Sequence, residues 1–177
     1  MRRSIRTVYR TILPKSMLVN TSMTALRRSE LDLESKNIGL AYFNYTDGST
    51  QIIADPEQLR RVIHNIIGNS IKYLDKQRGL INIRIKDVGD FIQVEIEDNG
   101  RGIAAADLPY IFDRFYRADA SRNSATGGSG IGLSIVKKII EDHGGKIWAT
   151  SKESIGTVMY FVIRKYQEVP NEQSINS

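Results

Sequence analysis

The chain has 177 residues, of which 41% are hydrophobic and 25% are charged, and its net charge is +5. This length and composition predict one globular core of ordinary size with an appendage. The absence of cysteine excludes disulfides, thiolate zinc sites and thiol nucleophiles.

The positive charge is concentrated near the N-terminus, so the rest of the chain is closer to neutral. The basic residues in question are Arg2, Arg3, Arg6, Arg10, Lys15, Arg27 and Arg28. We therefore do not expect nucleic acid as a partner. No apolar run approaches the roughly 18 residues of a membrane span, and the start is too rich in arginine for a signal peptide. We expect a cytoplasmic protein with no membrane span in this chain.

The first predicted strands are residues 38–46 (IGLAYFNYT) and 51–54 (QIIA). The pair Asp47-Gly48 between them is a strong turn signal. The sequence therefore predicts a first β-hairpin.

The next segment, residues 55–74, has the pattern of an amphipathic helix. Asp55 is a good N-cap, and Pro56 suits the first helical position. Apolar residues recur at a spacing near 3.6, at Leu59, Val62, Ile63, Ile66, Ile67, Ile71 and Leu74.

Two alternating segments, 80–86 (LINIRIK) and 91–98 (FIQVEIED), predict antiparallel strands with a turn from Asp87 to Asp90. A long connection follows until about residue 130, and loops of this length are usually functional or act as lids. It is broken only by a short segment that begins at Pro109.

The last elements are a helix and two strands. Apolar positions from Ile131 onward predict a helix that ends at Gly144-Gly145. Residues 146–151 (KIWATS) and 157–164 (TVMYFVIR) predict strands. The second of these is apolar on both faces, which favours a central position in the sheet.

These elements together predict an α/β (α+β) fold, a two-layer sandwich of a mixed, mostly antiparallel sheet with helices on one face. We divide the chain into a basic N-terminal segment (1–36), one domain (37–166) and a polar tail expected to fray (167–177).

The glycine-rich stretch 127–133 (GGSGIGL) precedes the last helix. It matches neither a P-loop nor a dinucleotide fingerprint, since the first lacks its lysine-serine or lysine-threonine pair and the second lacks its preceding strand. Glycines at a helix N-terminus let an anion approach the free backbone N–H groups. Taken alone, the stretch could also be only a turn.

Asp98 continues the apolar face of the strand 91–98, so its carboxylate is predicted to point into the core. A buried carboxylate without a partner is costly. The following Gly100 and Gly102 would let the backbone bend around a flat ligand that donates a hydrogen bond to Asp98. The alternative is a strand-end turn with local hydrogen bonds.

Four polar residues, Asn65, Asn69, Lys72 and Tyr73, share one stripe of the helix 55–74. An amide oxygen suits a hard cation and a lysine suits a phosphate. Each residue alone would fit an ordinary polar helix flank. Combined with Asp98 and the glycines, the stripe predicts a site for a magnesium nucleotide.

Four segments resemble, in order, the N, G1, F and G2 boxes of bacterial sensor histidine kinases. They are HNIIGNSIKY (64–73), DNGRGI (98–103), IFDRFYRAD (111–119) and GGSGIGL (127–133). These kinases belong to the GHKL superfamily, which also holds gyrase, heat-shock chaperones and mismatch-repair proteins. The resemblance covers roughly residues 37–165.

The resemblance implies ATP and Mg²⁺ as cofactors, with Asn69 as the metal ligand. The residues implied in catalysis are Asn65, Asn69, Lys72 and Arg117. Those implied in nucleotide binding are Asn69, Lys72, Tyr73, Asp98, Gly100, Gly102, Ile103, Phe112, Phe115, Gly128, Ser129, Gly130, Ile131, Gly132 and Leu133. Asp98 would bind the adenine amino group. Phe112 and Phe115 would anchor the lid, and Arg114 would add a cation beside the phosphates.

The sequence departs from the family because no histidine precedes His64, so the phosphoacceptor motif is missing. We expect His64 to lie on a helix flank and His143 to act as a cation at a helix C-terminus. The chain then resembles a catalytic domain without its dimerisation helices, with residues 17–35 either a remnant of one helix or an unrelated leader. The implied partners are a dimerisation and histidine phosphotransfer domain, in cis or in trans, and a response regulator.

Three functions remain open from the sequence. The first is transfer of the ATP γ-phosphate to a histidine, with slow hydrolysis because Asn65 stands where the related ATPases carry a glutamate base. The second is an anti-sigma-type serine kinase. The third is a nucleotide-binding regulator without enzymatic activity.

Overall fold

The computed structural model describes residues 11–14, 37–46, 50–117 and 132–167. The elements in chain order are β1 (Thr11–Pro14), β2 (Ile38–Tyr45), β3 (Gln51–Ala54), α1 (Pro56–Lys72), β4 (Gly79–Val88), β5 (Phe91–Asp98), a 3-10 turn (Leu108–Tyr110), α2 (Gly132–Asp142), β6 (Lys146–Lys152) and β7 (Gly156–Arg164). Within this part of the chain, neither helix combines the length and the hydropathy needed to cross a membrane.

The main sheet has five strands in the order β2-β4-β5-β7-β6. Only the β2 and β4 pair is parallel, and the other three pairs are antiparallel. The helices α1 and α2 cover one face, so the predicted two-layer fold with a mixed, mostly antiparallel sheet is confirmed. Strand β7 lies between β5 and β6, as predicted, although Val158, Tyr160 and Val162 on its second face are only half-buried.

The predicted hairpin of residues 38–54 is wrong. Strand β2 lies in the main sheet beside β4, whereas β3 pairs with β1 in a separate two-stranded sheet. Ile52 and Ala54 of β3 are fully buried in the core, and this burial outweighs the local turn signal of Asp47-Gly48, which lies outside the described residues. The strand β1 was not predicted. The boundaries at residues 37 and 166 stay predictions, and residues 17–35 lie outside the described part.

Helix α1 begins as the sequence predicts. The Asp55 carboxylate accepts hydrogen bonds from the backbone N–H groups of Glu57 and Gln58 at 2.9 and 3.1 Å, which satisfies two of the free donors of the first turn. The apolar stripe faces the sheet, with Leu59, Val62, Ile63, Ile66 and Ile67 buried. They pack against buried residues of the central strands, including Ile81, Ile83, Ile85, Ile92, Val94, Ile96 and Phe161.

The β4 and β5 hairpin is confirmed, with a tighter turn than predicted. Val88 pairs with Phe91, so only Gly89 and Asp90 form the turn. Gly89 has φ +58°, a conformation that favours glycine. The two strands therefore extend further than the alternation alone suggests.

Helix α2 ends at the predicted glycines, because Gly144 has φ +71° and the Gly145 N–H bonds the carbonyl of Ile140 at 2.9 Å. The expected role of His143 as a cation is wrong. The ring is buried, its Nδ1 lies 2.6 Å from the carbonyl oxygen of Ile139, and its Nε2 accepts the Asp55 N–H at 3.0 Å. A ring nitrogen that accepts a hydrogen bond carries no proton, so His143 is neutral and joins the end of α2 to the start of α1. His64 is exposed on a helix flank, as expected.

The second face of the sheet carries ion pairs instead of a helix layer in the described part of the chain. Glu95 accepts hydrogen bonds from Lys86 at 2.7 Å and Gln93 at 2.8 Å. Arg84 bonds Glu97 at 2.6 Å and lies 3.9 Å from Glu95. We call Arg84, Lys86, Glu95 and Glu97 the charge ladder. A shallow hollow of about 470 Å³ beside it is lined by Tyr45, Arg84, Lys86 and Asp87.

Candidate functional site

Asp98 ends β5 and lies on the helix-covered face of the sheet. Its side chain is only 7% exposed, as the alternation of the strand predicts. Its Oδ1 accepts the Gly100 N–H at 3.0 Å, and the carboxylate also accepts hydrogen bonds from the Ser70 hydroxyl and the Thr157 backbone N–H. Burial raises the pKa of Asp98 above its ordinary value, although these three hydrogen bonds oppose the shift.

The loop after Asp98 packs closely on the end of α1. The Arg101 N–H bonds the Tyr73 carbonyl at 3.1 Å. A Cβ at Gly100 would lie 2.5 Å from the same carbonyl oxygen, so only glycine fits there without a shift of the backbone. The sequence segments 64–73 and 98–103 therefore meet in space.

The same loop also contacts the turn between β6 and β7. Gly102 has φ +73°, and a Cβ there would lie 2.1 Å from the Lys152 carbonyl oxygen. The Ile103 N–H donates to Ser151 Oγ at 2.8 Å. These contacts fix the path of the loop on the side away from α1.

A small polar network beside Asp98 was not predicted from the sequence. Ser151 Oγ donates to the Gly156 carbonyl at 2.9 Å and lies 2.8 Å from Thr157 Oγ1. Thr157 is buried and is the antiparallel partner of Asp98. Ser70 is also buried, on α1. No local pattern marks these three hydroxyls, but the β5 to β7 register would have placed Thr157 beside Asp98.

The polar stripe of α1 faces the start of α2. Asn65 Nδ2 donates to the Arg61 carbonyl at 2.8 Å, and its Oδ1 would lie 3.0 Å from a Cβ at Gly132. Asn69 is half-buried one turn further on, and Lys72 is exposed. Gly132 and Leu133 open α2, and Leu133 packs against the core. Gly128, Ser129, Gly130 and Ile131 lie outside the described residues.

The end of the stripe is an aromatic ring with cations beside it. Lys72 Nζ lies 5.0 Å and the Arg101 guanidinium carbon lies 4.6 Å from the centre of the Tyr73 ring. Both distances are within the range of a cation–π contact. These contacts help to hold the Tyr73 side chain at the junction of α1 and the Asp98 loop.

The segment 104–117 is folded against the sheet at its start and exposed at its end. Phe112 packs on the core, whereas Phe115 is 66% exposed with φ +64°. Phe112 is therefore held against the core, whereas Phe115 is not, and the roles of both at a lid stay predictions. The exposed Arg114 lies 5.3 Å from the Phe115 ring, and Arg117 is also exposed.

Tyr116 closes this segment on itself. Its hydroxyl donates a hydrogen bond to the Asp107 carboxylate. The same hydrogen bond raises the pKa of Tyr116 to about 12. This hydrogen bond holds Asp107 and Tyr116, near the two ends of the segment, together.

The arrangement suits a flat ligand with an amino group and a phosphate chain. Asp98 offers a buried acceptor, and the glycines of its loop leave room for a ring beside the backbone. The start of α2 and Lys72 suit phosphates, because helix N–H groups and an ammonium both favour negative charge. The amide oxygen of Asn69 suits a magnesium ion. The residues present therefore fit a magnesium nucleotide.

Comparison with known proteins identifies the family of the chain. The family model described as histidine kinase-, DNA gyrase B- and HSP90-like ATPase matches residues 54–167. The sensor histidine kinase WalK of Bacillus subtilis (strain 168) is 34% identical over 126 residues, which are 71% of this chain and 21% of that protein. The chain thus spans about a fifth of the length of this relative.

Solved structures agree with the sequence comparison. The nucleotide-free catalytic domain of histidine kinase ThkA superposes with a TM-score of 0.73 at 27% identity, covering 88% of this chain and 95% of that one. ThkA solved in complex with the response regulator protein TrrA has a TM-score of 0.73 at 26% identity, covering 92% of this chain and 44% of that one. The chain therefore belongs to the histidine kinase-, DNA gyrase B- and HSP90-like ATPase family, and it is similar to the catalytic domains of sensor histidine kinases.

Proposed function

We propose that this domain transfers the γ-phosphate of ATP to a histidine that a dimerisation and phosphotransfer domain presents to it, in cis within a longer protein or in trans. The observation that carries the proposal is the convergence of three separate segments. Asp98 and its loop meet Tyr73 at the end of α1, and Asn65 meets Gly132 at the start of α2. One ligand could contact all three segments.

The roles follow from the chemistry of each group. Asp98 accepts a hydrogen bond from the adenine amino group, with Gly100, Gly102 and Ile103 beside the ring. Tyr73 borders the nucleotide at the end of α1. Asn69 holds Mg²⁺, which neutralises charge on the phosphates when it is bound.

The phosphate side of the site is formed by cations and by the start of α2. Lys72 and Arg117 contact the phosphates, and Phe112 anchors the segment that leads to them. Gly128, Ser129, Gly130, Ile131, Gly132 and Leu133 would form the loop and helix start over the phosphate chain. An exposed Phe115 is free to contact another domain.

Transfer is favoured over hydrolysis at this site. A hydrolase needs a base that takes a proton from water, and the Asn65 amide cannot do this. A neutral imidazole is already nucleophilic near pH 7, so a histidine acceptor needs mainly positioning and charge neutralisation. We expect slow release of free phosphate by the domain alone.

Partners and location also belong to the proposal. ThkA, to which the chain is similar, was solved with its response regulator TrrA, which supports a response regulator as the downstream partner here. A kinase that uses ATP in this way works in the cytoplasm. The serine kinase alternative is not favoured, because the relatives found are sensor histidine kinases.

The proposal is tested by mixing the chain with labelled ATP, Mg²⁺ and a matching dimerisation domain. We expect acid-labile label on the acceptor histidine, and Asn69→Ala should reduce it at least 100-fold. Asn82→Ala, which changes an amide on the other face of the sheet, should have no effect. Rapid phosphate release without labelled histidine, or acid-stable label, would contradict a histidine kinase.

A further inference from the structure

Arg101 is fixed through its backbone on two sides. Its N–H donates to the Tyr73 carbonyl at 3.1 Å, and its own carbonyl accepts the Ser154 N–H at 2.7 Å. The glycines before and after it lie so close to backbone carbonyl oxygens that a Cβ on either would clash. The main chain of Arg101 therefore has little freedom, and its side chain leaves the loop from a defined point.

The side chain of Arg101 lies beside the ring of Tyr73. The guanidinium carbon is 4.6 Å from the ring centre, and Lys72 Nζ is slightly further away at 5.0 Å. A planar guanidinium stacks well on an aromatic ring, whereas a lysine ammonium is a compact and strongly hydrated charge. Of the two cations, the arginine is therefore the better partner for the ring.

The place of Tyr73 explains why its ring needs a partner. Tyr73 is the C-cap residue of α1, and its side chain is only half-buried. Neither the helix nor the core therefore fixes the ring completely. A side chain that becomes ordered only when a ligand binds lowers the affinity, because its rotamer freedom is then lost on binding. A contact that orders the ring beforehand avoids this loss.

On the basis of the proposed nucleotide site, we propose that Arg101 is a positioning residue for nucleotide binding. Arg101 holds the Tyr73 ring at the border of the nucleotide and leaves Lys72 for the phosphates. Its effect on binding passes through the ring, and Arg101 itself does not contact the ligand. An exposed cation–π contact of this kind changes a binding constant by about two- to fivefold.

The first experiment measures ADP binding in the presence of Mg²⁺ by titration calorimetry at pH 7. Arg101→Gln should weaken ADP binding about threefold. Arg101→Lys keeps a cation and should weaken it by less than about twofold. Arg164→Gln is the matched control, because it removes the same charge and a guanidinium 5.3 Å from the Phe91 ring, at the opposite end of β5 from Asp98. This control should leave the ADP affinity unchanged, which separates the ring contact from the loss of net charge.

A double-mutant cycle tests whether Arg101 acts through the ring. Tyr73→Leu removes the ring and should weaken ADP binding by itself. Arg101→Gln should then add no further loss, because its partner is already gone. Tyr73→Phe keeps the ring without the hydroxyl, and in that background Arg101→Gln should again cost about threefold. Equal losses from Arg101→Gln with and without the ring would show direct contact with the ligand and would overturn the inference.

Transfer kinetics separate positioning from catalysis and from folding. With ATP, Mg²⁺ and a matching dimerisation domain, Arg101→Gln should raise KM for ATP about threefold and leave kcat unchanged, because the ring borders the nucleotide before and during transfer alike. The thermal midpoint without nucleotide should stay that of the wild type, since the Arg101 side chain is exposed. A lower kcat at unchanged KM would assign Arg101 to the transfer step and overturn the positioning role.

The outcomes distinguish this inference from the proposed function. Wild-type ADP affinity in Arg101→Gln would overturn the role of Arg101 and leave the nucleotide site standing. Failure of the wild-type chain to bind ADP at all would overturn the proposed function and this inference with it.

Discussion

Two buried carboxylates on β5 lie three residues apart and on opposite faces of the sheet. Glu95 is 6% exposed and Asp98 is 7% exposed, so burial does not distinguish them. Glu95 is paired with Lys86 at 2.7 Å and lies near Arg84. Asp98 has neutral donors instead, and within the described residues no salt bridge reaches it.

The difference shows which carboxylate is available for a ligand. The charge of Glu95 is compensated within the fold, so the group stabilises the sheet and has little left to offer. The charge of Asp98 is stabilised only by hydrogen bonds. Its raised pKa shows that burial still disfavours the ionised form. A hydrogen-bond donor on a ligand would further stabilise the ionised carboxylate of Asp98.

The largest expected effect comes from removing the Asp98 carboxylate. Asp98→Ala should weaken ADP binding at least about 100-fold, because the acceptor for the amino group is lost. Stability should also fall, by about 1–2 kcal/mol, because the donors from Gly100, Ser70 and Thr157 lose their acceptor. The loss is limited because a carboxyl whose pKa is raised on folding contributes no ionic stabilisation at neutral pH. Calorimetric titration measures the ADP affinity, and urea unfolding measures the free energy of unfolding. Retained ADP binding would show that Asp98 is no more available to a ligand than Glu95.

The matched change on the other face should lower stability without affecting ADP binding. Glu95→Gln leaves Lys86 and Arg84 without their buried counter-charge, and we expect a loss of about 2 kcal/mol in the free energy of unfolding. Both cations can reach water, which keeps the loss below that of a fully buried pair. ADP affinity should stay the same. A large loss of ADP binding in this variant would show that the two faces are not independent.

The smallest expected effect belongs to Glu97 at the exposed end of the charge ladder. Burial alone would raise its pKa, but the hydrogen bonds from Arg84 and Asn82 outweigh burial and lower the pKa below the ordinary 4.5. Its stabilisation is therefore present above pH 4.5 and is lost as the pH falls through the lowered value.

Glu97→Gln should accordingly cost less than about 1 kcal/mol at pH 7. Urea unfolding at a series of pH values should show the variant and the wild type converging in acid. If the difference in the free energy of unfolding between wild type and variant grew as the pH fell, the ionised Glu97 would not be the stabilising form.

The sequence predicted most elements, because their signals are local. Asp55 caps α1 as expected, and alternation located β4 and β5. The pairing of β2 and β3 was wrong because a turn signal such as Asp47-Gly48 describes only its own residues. The structure instead pairs each strand with another element, β2 with β4 and β3 with β1.

The site residues also divide into those that a local pattern marks and those that only distant contacts reveal. Asp98, Asn65, Gly100 and Gly102 were singled out from the sequence because their spacing forms recognisable patterns. Ser70 and Thr157 were missed, since a single hydroxyl on a helix or strand has no pattern and becomes significant only when β5, β7 and α1 meet. His143 was misread for a related reason, because its acceptor role depends on Asp55, 88 positions away.

The short sheet of β1 and β3 has a mechanical consequence. Strand β3 ends at Ala54 and α1 begins at Pro56, so a single residue separates the strand from the helix that bears Asn69. Four paired positions join β1 to β3. We therefore expect a displacement of Thr11–Pro14 to act directly on the helix that bears Asn69, because the connection between β3 and the helix is too short to absorb it.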